Sequence, residues 1–222
     1  MKRFFSFLFL ALISSAALAQ VNSFEIDSSK FNKKLMQQLD TILKDDQTFR
    51  IKWMDMIKAK ASPTAVDSVK AIARQQDAKN LIKVKDIIAN HGWLGPQDVG
   101  MNASQGLFLV IQHADLATQQ EYLPIVRKAE KDGKTLSSNL AILEDRIAMR
   151  TGNKQSYGSQ GFKDKKTGSS YIYPIIDPDR LDSRRKAMGM PPMKSYVPDW
   201  DLEKYKILLP EIEKIVKDQG IR

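Results

Sequence analysis

The chain has 222 residues, 42% hydrophobic and 27% charged, an ordinary globular composition with room for one good core or one domain with extensions. The sequence contains no cysteine, which excludes both a disulfide framework and a cysteine-borne lipid anchor. The formal charge of +9 is dispersed apart from Lys163-Asp-Lys-Lys166 and Arg184-Arg-Lys186, and reads as a solvated basic face. A DNA, anionic membrane or acidic polymer partner is the alternative.

Lys2 and Arg3 precede an apolar run from Phe4 to Leu12, followed by Ala17-Leu-Ala19. This is the order of a secretory signal peptide, with cleavage expected after Ala19; the run is too short for a membrane span. The expectation is a soluble exported protein, periplasmic or secreted, and export argues against a nucleic-acid partner. The predicted organisation is a leader over 1–19, an N-terminal helical extension over 20–62, a core helical domain over 63–197 and a C-terminal helix over 198–222. Oligomeric state is not legible.

Ser28 or Ser29 is placed to cap a helix through about Asp45, with Phe31, Leu35, Leu39, Ile42 and Leu43 on one side. A second helical stretch carries Phe49, Trp53, Met56 and Ile57 and ends at Ser62-Pro63. From about Thr64 to Asn90 runs a long helix whose stripe is Val66, Ala73, Leu81, Val84 and Ile88, closed by Gly92. Asp77 interrupts that stripe, with Asn80 beside it. A carboxylate on a core face is costly unless paired, so either a helix-pinning ion pair or a site is implied. His91 at the helix end suits a dipole partner, and Trp93 a plug or a cover.

The apolar run Leu107-Phe-Leu-Val-Ile111 ends in Gln112-His-Ala-Asp115. A straight helix over 103–117 would be central and would set His113 and Asp115 roughly 160° apart. Thr118-x-x-Glu121 reads as a capping box, and Pro124 predicts a kink or break between 116 and 124, then helix to Asp132-Gly133. Leu136 to Arg150 is a further helix bearing Asp145 and Arg146, Arg146 being the expected cation for Asp77 or Asp145. Gln155–Gln160 and Tyr171–Ile176 read as the strands of a hairpin. A short helix from Asp177-Pro178 to Met188 and a last helix from Leu202 to Lys217 complete a mainly α fold: a multi-helix domain with one small β-hairpin near the C-terminal third.

The familiar catalytic signatures are missing: there is no P-loop, dinucleotide fingerprint, H-E-x-x-H or EF-hand loop. No cofactor is expected. With His91 and His113 as its sole histidines, the chain could hold zinc only by using both with a carboxylate. What remains is an inward polar set. His113, Asp115 and Asp145 are the acid–base candidates. Asp77, Asn80, His91, Trp93, Gln112, Arg146, Gln155, Tyr157 and Gln160 are the candidates for holding a small molecule or envelope component.

His91-Gly-Trp93, Gln112-His-Ala-Asp115, Asp145-Arg146 and Gln155-x-Tyr-Gly-Ser-Gln160, in this order, resemble an uncharacterised bacterial family, a domain of unknown function, over about 77–193. That family more often has Pro at the position of Leu94 and Thr at that of Ser159. The resemblance strengthens a site without naming a reaction. A hydrolase on an envelope or extracellular substrate, a non-catalytic binding module and a structural polar core all stay open.

Overall fold

The computed structural model describes residues 26–222; the leader expected over 1–19 lies outside them. The described chain is mainly helical with a single two-stranded hairpin, and it divides into two compact units, one ending at Leu136 and one beginning at Ser137.

In the first unit a 3₁₀ turn, Ser28–Lys30, precedes α1, Lys33–Lys58. The N-cap of α1 is Asn32, whose side chain accepts from the Leu35 amide; neither Ser28 nor Ser29 caps it. The helix is continuous, so the two stretches read from sequence are one. Leu35, Leu39, Ile42 and Asp46 follow one another at spacings of three and four and are all buried, which makes them one face. Ser62 caps α2, Pro63–His91, with Pro63 at its first turn, where its missing N–H costs nothing. After the short α3, Pro96–Val99, comes α4, Met101–His113. Ala103, Leu107, Val110 and Ile111 are buried on α4, as are Val66, Val69, Ala73, Val84 and Ile87 on α2. The helices α1, α2 and α4 pack on one another. At Gly106 the packing is close: a Cβ there would lie 2.9 Å from both the Leu39 carbonyl oxygen and the Leu43 Cβ.

The break in the backbone falls at Ala114, earlier than Pro124 predicts. Asp115 caps α5, Leu116–Lys131, by accepting from the Thr118 amide at 2.8 Å, so the cap is Asp115-x-x-Thr118. Pro124 sits inside α5. The supposed straight helix through Ala117 does not exist, and the divergence of His113 and Asp115 calculated from it does not apply.

The second unit starts with α6, Ser137–Arg150. Strands β1, Gly161–Lys163, and β2, Ser170–Ile172, pair antiparallel with Phe162 opposite Tyr171. The first strand therefore follows Gln155–Gln160 rather than coinciding with it. A 3₁₀ turn, Pro178–Arg180, leads into α7, Leu181–Ala187; then come α8, Met193–Tyr196, and α9, Leu202–Gln219. The core of this unit is Phe162, Ile172, Tyr173, Ile175, Leu181, Met193, Tyr205 and Ile212. The Tyr205 hydroxyl is satisfied inside it, accepting from the Ile175 amide at 2.8 Å and donating to the Tyr173 carbonyl at 3.2 Å.

Candidate functional site

The apolar face of α1 ends in a charge. Asp46 continues the stripe of Leu35, Leu39 and Ile42, and its side chain is only 1% exposed. Three side chains meet it: His113 Nδ1 lies 2.9 Å from Oδ1, Gln47 Nε2 donates to Oδ2 at 2.6 Å, and Arg50 Nε stands 3.4 Å from Oδ2. Arg50 is one helical turn on and reaches across to α2, where its Nη2 donates to Asp77 Oδ1 at 2.7 Å. The cation on Asp77 is thus Arg50. One guanidinium binds both carboxylates, and one of these orients the imidazole.

Burial works against the charge on Asp46, but the hydrogen bond with His113, the positive form of that ring and Arg50 outweigh it. The Asp46 carboxyl is held below the usual carboxylate range. Asp77 moves the other way: its partial burial, aided by repulsion from Asp46, outweighs Arg50 and pushes its pKa up. Two neighbouring acids are thereby driven apart, as sites using an acid and a base require.

These groups line a cleft of about 210 Å³ formed by Asp46 of α1, Arg74, Asp77, Ala78 and Leu81 of α2, and Val110, His113, Ala114 and Asp115. Spacings of three, four and seven put Arg74, Asp77, Ala78 and Leu81 on one stripe of α2. The break at Ala114 lets Asp115 line the same cleft. His113 is 15% exposed, so it is not sealed in the core. Donating Nδ1–H to Asp46 selects the tautomer whose lone pair is on Nε2.

Of the other candidates in this unit, Asn80 is fully buried and straps α2 to α1, donating to the Ile42 carbonyl at 3.4 Å and accepting from Gln76 at 3.1 Å. Gln112 is buried, and its carbonyl accepts from Gln119 at 2.6 Å. His91 is exposed at the end of α2. Trp93 is buried, and its indole N–H meets no acceptor among the described residues. Among those residues no cluster of three or more potential metal ligands occurs.

In the second unit Asp145 is 1% exposed and lies within the loop 156–159. Its oxygens accept from the amides of Ser156 at 2.7 Å, Tyr157 at 3.0 Å and Ser159 at 3.0 Å, and from the Ser159 hydroxyl at 2.9 Å. Burial pushes its pKa up against these four donors. The turn needs Gly158, whose φ is +67° and whose Cβ would press on Ile175 and Met193. Gln155, fully buried, donates to the Gln160 and Tyr173 carbonyls and accepts from the Gln160 amide. Gln160 in turn donates to the Ser159 hydroxyl.

Behind the loop, two arginines of α7 bind its carbonyls. Arg184 Nε donates to Ser156 O at 2.8 Å and Arg185 Nη1 to Tyr157 O at 2.6 Å. Arg185 is 0% exposed and stacks over Tyr196, with 5.1 Å between the guanidinium carbon and the ring centroid, so the expectation of a solvated basic face fails there. Arg146 is half-buried, and its charge acts on Tyr196. The structure thus gathers Asp77, His113 and Asp115 at one cleft and Asp145, Gln155, Tyr157 and Gln160 at one loop. Asp46, Arg50 and Arg74 are the residues that sequence reasoning missed. The signal for Asp46 and Arg50 was the α1 stripe, which continues from Ile42 to Asp46 once the helix is read as unbroken; Arg74 has only its place one turn before Asp77 on α2.

Residues 33–206 match the family described as Family of unknown function (DUF6624). The chain belongs to this family. The match extends well beyond the 77–193 covered by the motif resemblance and takes in α1. No curated protein and no solved structure matches the chain.

Proposed function

We propose that this member of the DUF6624 family is an exported protein whose cleft at Asp46, Asp77 and His113 performs general acid–base chemistry, as a hydrolase on a small envelope or extracellular substrate. The observation that carries the reading is the 2.9 Å contact between His113 Nδ1 and the buried Asp46 carboxylate at the edge of a cleft. Asp46 fixes the ring and stabilises its cationic form; Nε2 accepts a proton from water. The imidazolium so formed at His113 returns that proton to the leaving group, while Asp77, held by Arg50, lines the cleft beside it. Imidazole, carboxylate, guanidinium and apolar groups line this cleft, so its nucleophile is water activated by His113. Export rests on the charged, apolar and small-residue order of residues 1–19.

A non-catalytic binding module is the second reading. It is favoured by Arg50, which presets both carboxylates before any ligand arrives. Wild type and His113→Gln, screened against envelope fragments, nucleotides and small esters, separate the two. The enzyme reading expects turnover by wild type and a loss of roughly 10²–10⁴ in rate in the variant, with its circular dichroism unchanged. Equal turnover by the two proteins removes His113 from the chemistry; a loss confined to affinity leaves the binding module.

A further inference from the structure

The charges around this cleft differ in how far they are already engaged. Asp46 is held by His113, Gln47 and Arg50, and Asp77 by Arg50. Asp115 gives Oδ1 to the first turn of α5, whose N-terminal dipole also offsets its charge. Arg74 is different: it lines the cleft, is exposed, and makes no hydrogen bond or ion pair among the described residues. It stands one turn before Asp77 on the stripe that continues to Ala78 and Leu81, and Leu81, Val110 and Ala114 line the same cleft. A guanidinium fork matches a carboxylate or phosphate with two parallel bonds, and beside apolar groups such a pair gains strength over its value in water. The cleft holds the volume of roughly seven water molecules, enough for a small acid or a phosphate group with a short apolar stem.

We infer that the cleft takes a ligand bearing a carboxylate or phosphate group, anchored by Arg74, with its apolar stem against Leu81 and Val110. The anchored anion is the non-reacting end of the substrate, and the reacting bond lies toward His113. This inference rests on the cleft being the functional site, as proposed above, and names the class of molecule it accepts.

The test uses the whole chain, isotope-labelled, with the His113 imidazole and the Ala114 amide followed by NMR at constant ionic strength. The probes are inorganic phosphate, acetate and, for the opposite charge, trimethylammonium. Phosphate and acetate are expected to shift both signals saturably. Arg74→Gln should weaken them by about tenfold or more, the loss of one charge-assisted contact, and Arg74→Lys by less. His113→Gln should leave the Ala114 response to anions in place. Unchanged anion binding in Arg74→Gln, shifts with trimethylammonium alone, or no shift with any probe overturns the inference. Anion binding that persists in a protein without turnover would remove the hydrolase reading and keep the anchor. Turnover that depends on His113 and ignores Arg74 would do the reverse.

Discussion

Asp46, Asp77 and Asp145 are three buried or half-buried acids with opposite consequences for stability. Asp46 titrates lower in the folded protein than in the unfolded chain, where aspartate lies near 3.9. The unfolded state therefore binds the proton first, and the stability that Asp46 contributes is present above that value and lost as pH falls through its folded pKa. Asp77 and Asp145 are raised, so their ionisation costs stability above the unfolded pKa, and that cost is relieved as pH falls through their folded values. Urea midpoints of wild type and Asp46→Asn compared from pH 6 downward should show a smaller acid loss in the variant below about pH 4; superimposable profiles would contradict the assignment. Asp145→Ala leaves three amides and a hydroxyl without their acceptor, and each buried unsatisfied group costs about 1–3 kcal/mol. A clear fall in melting temperature is expected, whereas Lys165→Met on the exposed hairpin loop should change little. Asp77 and Asp145 could be singled out from sequence because each interrupts or opposes an apolar stripe. Asp46 continues the stripe of Leu35, Leu39 and Ile42, and so shows itself only when that helix is carried past Asp45.

At the scale of elements, helix phase was easier to read than helix continuity. The helix expected from about Thr64 to Asn90 and closed by Gly92 is α2, Pro63–His91, and the one expected from Leu202 to Lys217 is α9, Leu202–Gln219; the caps Ser62 and Asp201 are added by the structure. Residues 33–58 contain no Gly or Pro, so nothing local ends α1 at Asp45, and the helix runs on to Lys58. The break expected between 116 and 124 falls at Ala114 instead: Pro124 is the ninth residue of α5, where its lost backbone bond is tolerated, while Asp115 supplies the cap by accepting from the Thr118 amide. The first strand of the hairpin lies beyond Gln155–Gln160, because the amides of Ser156, Tyr157 and Ser159 bind Asp145 rather than a neighbouring strand. The α1–α4 contact gives this scale its own test. Gly106→Ala places a methyl 2.9 Å from backbone and side-chain atoms of α1, and such overpacking costs about 1–3 kcal/mol. Chemical denaturation should show that loss despite alanine's better helix propensity; a stabilised variant would mean that α1 and α4 are further apart than described.

For the whole molecule, the export proposal and the cleft proposal are independent. Mass spectrometry of protein from its native host should find the chain beginning near Gln20; an intact Met1 would contradict export. No helix among the described residues is long and apolar enough to cross a membrane. The His113 half of the dyad was legible, since a polar cluster ending an apolar helix needs partners. Its Asp46 partner comes from 67 positions away, beyond what periodicity reaches. The cleft account stands most directly on that pairing, and NMR titration of the His113 ring in wild type and Asp46→Asn measures it. With a buried carboxylate beside it, the charged ring is favoured, so removing that charge should move the His113 titration to lower pH while the fold is retained. The wild-type neutral ring should carry its proton on Nδ1. The same midpoint in both proteins, or a wild-type neutral ring protonated on Nε2, would contradict the account.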